Sequence, residues 1–169
     1  MSSGRSNKIV GQTGEYLVAA ELSRRGYICT TFTGNVPHFD LVATNEAGGF
    51  TLLQVKSSLS DSWQFSKISD FCEVHFKGHQ QVLGQDINCP VENLVVVFVR
   101  IGDYGQDSFY LLRWEELRSL LIFKHKKYLD KHGGIRPKNP TSLHVGLKVD
   151  DLTAYCGNWE LVNLKLGNT

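Results

Sequence analysis

Apolar and polar positions along the chain follow two periods, and the change between them marks the elements. From about Ile9 to Arg25 the pattern is helical. Gly11 and Gly14 weaken its start, because glycine in a helix interior costs about 1 kcal/mol against alanine. Gly26 suits the residue after the last turn, with Arg24 and Arg25 at the negative end of the helix dipole. Tyr27 to Phe32 is β-branched and aromatic, which predicts a strand. Thr33 to Pro37 reads as a turn or loop. Two apolar-rich segments, Pro37–Thr44 and Phe50–Ser58, flank Asn45-Glu46-Ala47-Gly48-Gly49 and predict a β-hairpin, with strands over Phe39–Ala43 and Leu52–Lys56.

The next stretch is less periodic. Trp63 to Phe65 extends or follows the central strand, and Asp70 to Gly84 reads as a loose helix. Glu92 to Arg100 is nearly all apolar, the signature of a strand buried on both faces. Ser108 to Leu112 is the next strand, and a helix runs from Trp114 to His132, where Gly133 and Gly134 end it. Leu143 to Val149 is a late strand and Asn158 to Val162 a closing segment. Helices alternating with strands in this order predict an α/β fold with a mixed central sheet flanked by helices.

A chain of 169 residues can bury a sizeable core as one domain. The expected division is a core over about 9–123 and an extension over 124–169. Hydrophobic residues at 41% and charged residues at 21% are ordinary for a globular chain, and the net charge of +1 does not announce a nucleic-acid partner. Cys29, Cys72, Cys89 and Cys156 are widely spaced, which argues against a zinc ribbon or disulfide framework and for reduced thiols. The start of the chain is polar with no long apolar run after it. The expectation is a cytoplasmic protein without a signal peptide or membrane contact.

The candidate chemistry sits on the hairpin. Strand side chains alternate, so Gln54 and Lys56 share one face while Leu53 and Val55 pack on the other. Asp40 lies on the partner strand, and His38 two residues before it on the same face. On the preceding helix, Glu21 has Arg24 and Arg25 at i+3 and i+4, a solvated ion-pair face. Glu15 instead has Val18, Ala19 and Leu22 at i+3, i+4 and i+7, so its carboxylate lies beside the apolar stripe. It reads either as a site residue or as a glutamate placed in the first turn by the helix dipole.

An aspartate, a hairpin of this length and then Gln54-Val55-Lys56, preceded by Gly11-x-x-Gly14-Glu15 on a helix, resemble the PD-(D/E)XK nuclease superfamily. Archaeal Holliday-junction resolvases and restriction-type endonucleases belong to it. The resemblance implies a restriction-endonuclease-like core and a divalent-metal-dependent endonuclease that hydrolyses DNA, structured or foreign DNA included. It implies Mg²⁺ or Mn²⁺ held by Asp40, Glu15, the Gln54 amide oxygen and the Val55 main-chain carbonyl, with Lys56 serving the attacking water or the phosphate. Two departures stand out: Gln54 replaces the usual acidic residue, and Phe39 the usual proline. A neutral amide should weaken metal affinity. The alternatives are a nuclease-like fold that binds nucleic acid or a protein partner without catalysis, and an unrelated α/β domain in which Asp40 and Lys56 form a salt bridge. A homodimer is left open.

Charge adds a second feature. Between Arg113 and Lys138 there are eight basic and three acidic residues, a local excess of five positive charges. Lys124, Lys126, Lys127, Lys131, Arg136 and Lys138 are therefore candidates for contact with a DNA backbone; a solvated face complementing the helix dipole is the other reading. The histidines show no metal-ligand spacing. No Walker-type phosphate loop, Ser-His-Asp arrangement or dinucleotide fingerprint is present.

Overall fold

The computed structural model describes residues 4–32 and 36–167; side chains of Gly4 and Arg5 are outside the description. The elements in order are α1 (Gly4–Arg24), β1 (Ile28–Thr31), β2 (Leu41–Thr44), β3 (Phe50–Ser58), β4 (Ser62–Phe65), a 3₁₀ turn (Ile68–Asp70), β5 (Cys72–Lys77) and β6 (Gln80–Asp86). They continue with β7 (Leu94–Arg100), β8 (Ser108–Arg113), α2 (Trp114–Lys131), β9 (Val145–Lys148), α3 (Val149–Leu152), a 3₁₀ turn (Thr153–Tyr155) and α4 (Glu160–Lys165).

Five strands form the central sheet in the order β1-β2-β3-β7-β8. β3 pairs antiparallel with β2 and parallel with β7, so the sheet is mixed. β7 sits between β3 and β8, and Leu94 through Val99 are all buried, as a strand covered on both faces requires. One face packs under α1 and α4 with Val18, Leu22, Leu41, Leu53, Val97 and Leu161. The other packs under α2 with Trp63, Val96, Phe98, Leu112, Trp114 and Leu121. The fold is an α/β architecture with helices on both sides of a mixed sheet. No helix among the described residues is long and apolar enough to cross a membrane.

Several expectations need correction. The loose helix over Asp70–Gly84 is instead an antiparallel hairpin, β5–β6, turning at Gly78 and His79. Gly78 has φ 62°, a conformation that mirror-image hairpin turns demand at their first position. α1 begins at Gly4 and runs through Gly11 and Gly14. Glu15 is therefore far from the first turn, and the dipole explanation for it fails. β2 begins at Leu41, so Asp40 lies just outside the strand. His38 has φ 74°, so it occupies a left-handed bend and does not share a strand face with Asp40. Of the two readings of Trp63 to Phe65, the structure bears out the second: the segment follows the central strand as β4 and pairs with β9 in a separate two-stranded sheet. The closing segment is helical, α4. Residues 33–35 of the expected loop lie outside the described residues.

Candidate active site

The site is built where β2 and β3 part. At its closed end the hairpin is locked by the chain's last helix: a Cβ on Gly49 would stand 2.2 Å from the Leu166 carbonyl oxygen. Pairing then runs from Thr44↔Phe50 to Leu41↔Leu53. Beyond that, the side chain of Asp40 takes over from the ladder. Its N–H donates to the Leu53 carbonyl (2.8 Å), and its Oδ2 accepts the Val55 N–H (2.7 Å). A carboxylate thus occupies the place of the next strand residue. The Val55 carbonyl points to the same side as its N–H, toward the fork, where β2 supplies no partner residue.

α1 reaches this fork because Gly14 lets it. A Cβ on Gly14 would lie 1.7 Å from Ser57 Oγ and 2.7 Å from Ser57 Cβ, so only glycine permits the helix to rest on β3 there. The next residue is Glu15. Its proton affinity is raised, first by partial burial and then by the charge of Asp40. The two carboxylates are therefore close enough to repel. Among the described residues neither has an ion-pair partner, and none joins Asp40 to Lys56. This removes the salt bridge on which the unrelated-domain alternative rests.

Gln54 and Lys56 project from the opposite sheet face to Val55, into a cleft of about 460 Å³ that also takes in His38, Phe71, Asn88 and Trp114. The structure brings Glu15 toward Asp40, but α1 lies on the sheet face of Val55 and Ser57, opposite to the face of Gln54 and Lys56. Carboxylate, amide and main-chain carbonyl oxygens are hard donors of the kind that suit Mg²⁺ or Mn²⁺. Two adjacent anionic groups without a cation between them fit such an ion. No group of three or more His, Cys, Asp or Glu residues suited to a metal exists among the described residues.

The basic residues separate into two kinds. Lys124 is ion-paired with Asp151. The Arg136 guanidinium donates to the His144 carbonyl (2.7 Å) and lies over the Tyr128 ring (4.8 Å). Lys126, Lys127, Lys131 and Lys138 are exposed. The cleft wall made by Asp70, Phe71, Ile87 and Asn88 was missed from the sequence, because it flanks the hairpin that was read as a helix. The alternation of Cys72, Val74 and Phe76 with Glu73, His75 and Lys77 was the available signal.

No protein-family model matches the chain, and no curated protein matches it. Among solved structures, a bacterial homing endonuclease, I-Ssp6803I, is similar, with a TM-score of 0.51 and 15% sequence identity. The match covers 99% of this chain and 96% of that one. At this identity the likeness is one of fold.

Proposed function

We propose that the chain is a divalent-metal-dependent endodeoxyribonuclease of the PD-(D/E)XK type with glutamine in the second acidic position. The observation that carries the reading is Asp40 seated by the Val55 N–H at the mouth of the β2–β3 fork, with Glu15 beside it. The similarity in fold to a homing endonuclease supports DNA as the substrate. Asp40, Glu15, the Gln54 amide oxygen and the Val55 carbonyl would hold Mg²⁺ or Mn²⁺. The bound ion supplies Lewis acidity for water activation and charge neutralisation at the phosphate.

The chain's own residues divide the remaining work. The Val55 N–H fixes one Asp40 oxygen, which leaves the other free to serve as a donor. Gln54 contributes an oxygen without a charge, so the site binds metal less tightly than one with three carboxylates. Lys56, on the same face as Gln54, orients the attacking water or stabilises the charge that develops on the phosphate. The exposed Lys126, Lys127, Lys131 and Lys138 would contact the DNA backbone. The amide at position 54 also favours a second reading, a nuclease-like fold that binds DNA with little or no cleavage.

A cleavage assay with Mg²⁺ and with Mn²⁺ on linear, branched and single-stranded DNA tests the proposal. The natural chain should cut at least one of these, and a chelator should stop it. Lys56→Ala should lose cleavage by about a hundredfold or more yet keep Mn²⁺ binding, since an ammonium is not a ligand. No cutting of any substrate with either metal would overturn the catalytic reading and leave the binding one.

A further inference from the structure

The β5–β6 hairpin is the part of the molecule that this chemistry leaves unused. A two-stranded ribbon is marginal by itself in water, and this one is fixed at both ends. At its base the Ile87 N–H donates to the Phe71 carbonyl (2.9 Å). Arg118 pairs with Asp86 (3.2 Å) and donates to the Ile87 carbonyl (3.0 Å). Toward the tip, the buried Gln81 donates through Nε2 to the carbonyls of Pro140 (2.6 Å) and Ser142 (3.1 Å). Its Oε1 can then only accept, so His125 Nε2 carries the proton of the 2.9 Å bond between them. The Gln81 N–H donates to the Gly134 carbonyl (2.9 Å), and a Cβ on Gly134 would lie 2.6 Å from Gln80 Cγ. These bonds set the ribbon tip against the end of α2 and the loop that follows, the segment that carries Lys131 and Lys138.

The outward face of the ribbon is polar and open. Glu73, His75 and Lys77 alternate along β5 and all are exposed. Gly84 on β6 makes room for two of them: a Cβ there would be 3.0 Å from the Glu73 carboxylate and 3.1 Å from His75 Nε2. At the other end the ribbon springs from the cleft, since Phe71 before β5 and Ile87 after β6 both line it with Gln54 and Lys56.

We infer that this outward face is the sequence-reading element of the protein, entering the major groove of duplex DNA while Lys131 and Lys138 hold the flanking phosphates. The inference rests on the reading of the chain as a DNA-acting protein. A two-stranded ribbon fits the major groove of B-form DNA. The ribbon extends about 20 Å from the cleft at roughly 3.3 Å per residue, so its contacts fall within about six base pairs of the cut. Lys77 is a donor suited to guanine. Glu73 is the telling residue: a carboxylate on a phosphate-tracking surface would be repelled, whereas in the major groove it meets the cytosine amino group. Anchoring at both ends holds these side chains in register, as discrimination between bases demands.

Selection of bound sequences from a randomised duplex pool, with no added metal so that nothing is cut, tests this on the full chain. The natural protein should enrich a preferred sequence. The exposed double variant Glu73→Gln/Lys77→Ala, its fold checked by thermal melting, should lose roughly tenfold discrimination at one or two base pairs. Lys131→Ala/Lys138→Ala should bind every sequence more weakly, with a salt slope smaller by nearly two, and keep the natural preference. The inference is overturned if the ribbon variant selects the same sequences as strongly as the natural chain. Equal competition by duplex RNA, whose major groove is too narrow for a ribbon, would also overturn it. A chain that cuts DNA while the ribbon variant keeps its preference loses only this inference. A preference that shifts without any cutting keeps it and removes the catalytic reading. Absence of duplex binding removes both.

Discussion

Two hairpins of this protein, β2–β3 and β5–β6, are held in place differently. β2–β3 lies inside the five-stranded sheet, between β1 and β7, and its inward residues Leu41, Ala43 and Leu53 are fully buried. Apolar burial fixes its register, because a slip of one residue would turn that set toward the other face. β5–β6 pairs with no other strand among the described residues. Cys72, Val74 and Leu83 pack it on the core, and bonds from Gln81 and Arg118 to neighbouring elements add to that hold. The first hairpin delivers Asp40, Gln54 and Lys56 to fixed places. The second presents exposed polar residues at the rim of the same cleft.

The largest way to break the first hairpin's arrangement without touching the second is Gly14→Ala. Its Cβ would collide with Ser57, and overpacking of this kind costs about 1–3 kcal/mol. The melting temperature should fall, and cleavage should fall with it as Glu15 is pushed off the fork. Ser57→Gly removes both colliding atoms, so the double variant Gly14→Ala/Ser57→Gly should recover most of the stability. Loss of stability without recovery would show that the helix contact is not what seats α1.

The contrast also explains what could be read from the chain alone. The first hairpin was legible because its apolar alternation, its Asn45–Gly49 turn and a continuous apolar neighbour, Leu94 to Val99, agree with one another. The pairing of Gln54 with Lys56 on one face followed from strand alternation. The second hairpin was not legible to the same degree. Its glycines, Gly78 and Gly84, read as helix weakeners, whereas one makes the turn and the other makes room for Glu73 and His75. Part of what fixes it, the bonds of Gln81 to His125 and to Pro140, spans 44 and 59 residues of sequence and leaves no periodic trace. The role of Gly14 was hidden in the same way, since Ser57 is its partner only in three dimensions. The basic run was visible, but the internal partners of Lys124 and Arg136 were not.

A smaller effect concerns Glu15. Its folded-state proton affinity lies above the ordinary carboxylate value, raised by burial and by Asp40. The stability tied to this shift is present in full below the ordinary carboxylate range and is lost as pH rises through the raised value. At neutral pH the ionised Glu15 therefore costs stability. Glu15→Gln should melt slightly higher than the natural chain at pH 7, and the advantage should vanish as the pH is lowered below the carboxylate range. Added Mg²⁺ should stabilise the natural chain more than the variant. Melting curves at two pH values with and without Mg²⁺ check this, and an advantage that persists at low pH would contradict the carboxylate repulsion.

The central claim is that the fork between β2 and β3 is a metal-dependent catalytic site in which Gln54 stands where a third carboxylate would bind more tightly. Cleavage of duplex DNA measured against Mg²⁺ concentration for the natural chain, Asp40→Ala and Gln54→Glu tests it most directly. The account predicts cleavage by the natural chain and none by Asp40→Ala. For Gln54→Glu it predicts half-maximal cleavage at a lower Mg²⁺ concentration than the natural chain needs. Equal cleavage by the natural chain and Asp40→Ala, with a contaminating nuclease excluded, would contradict it.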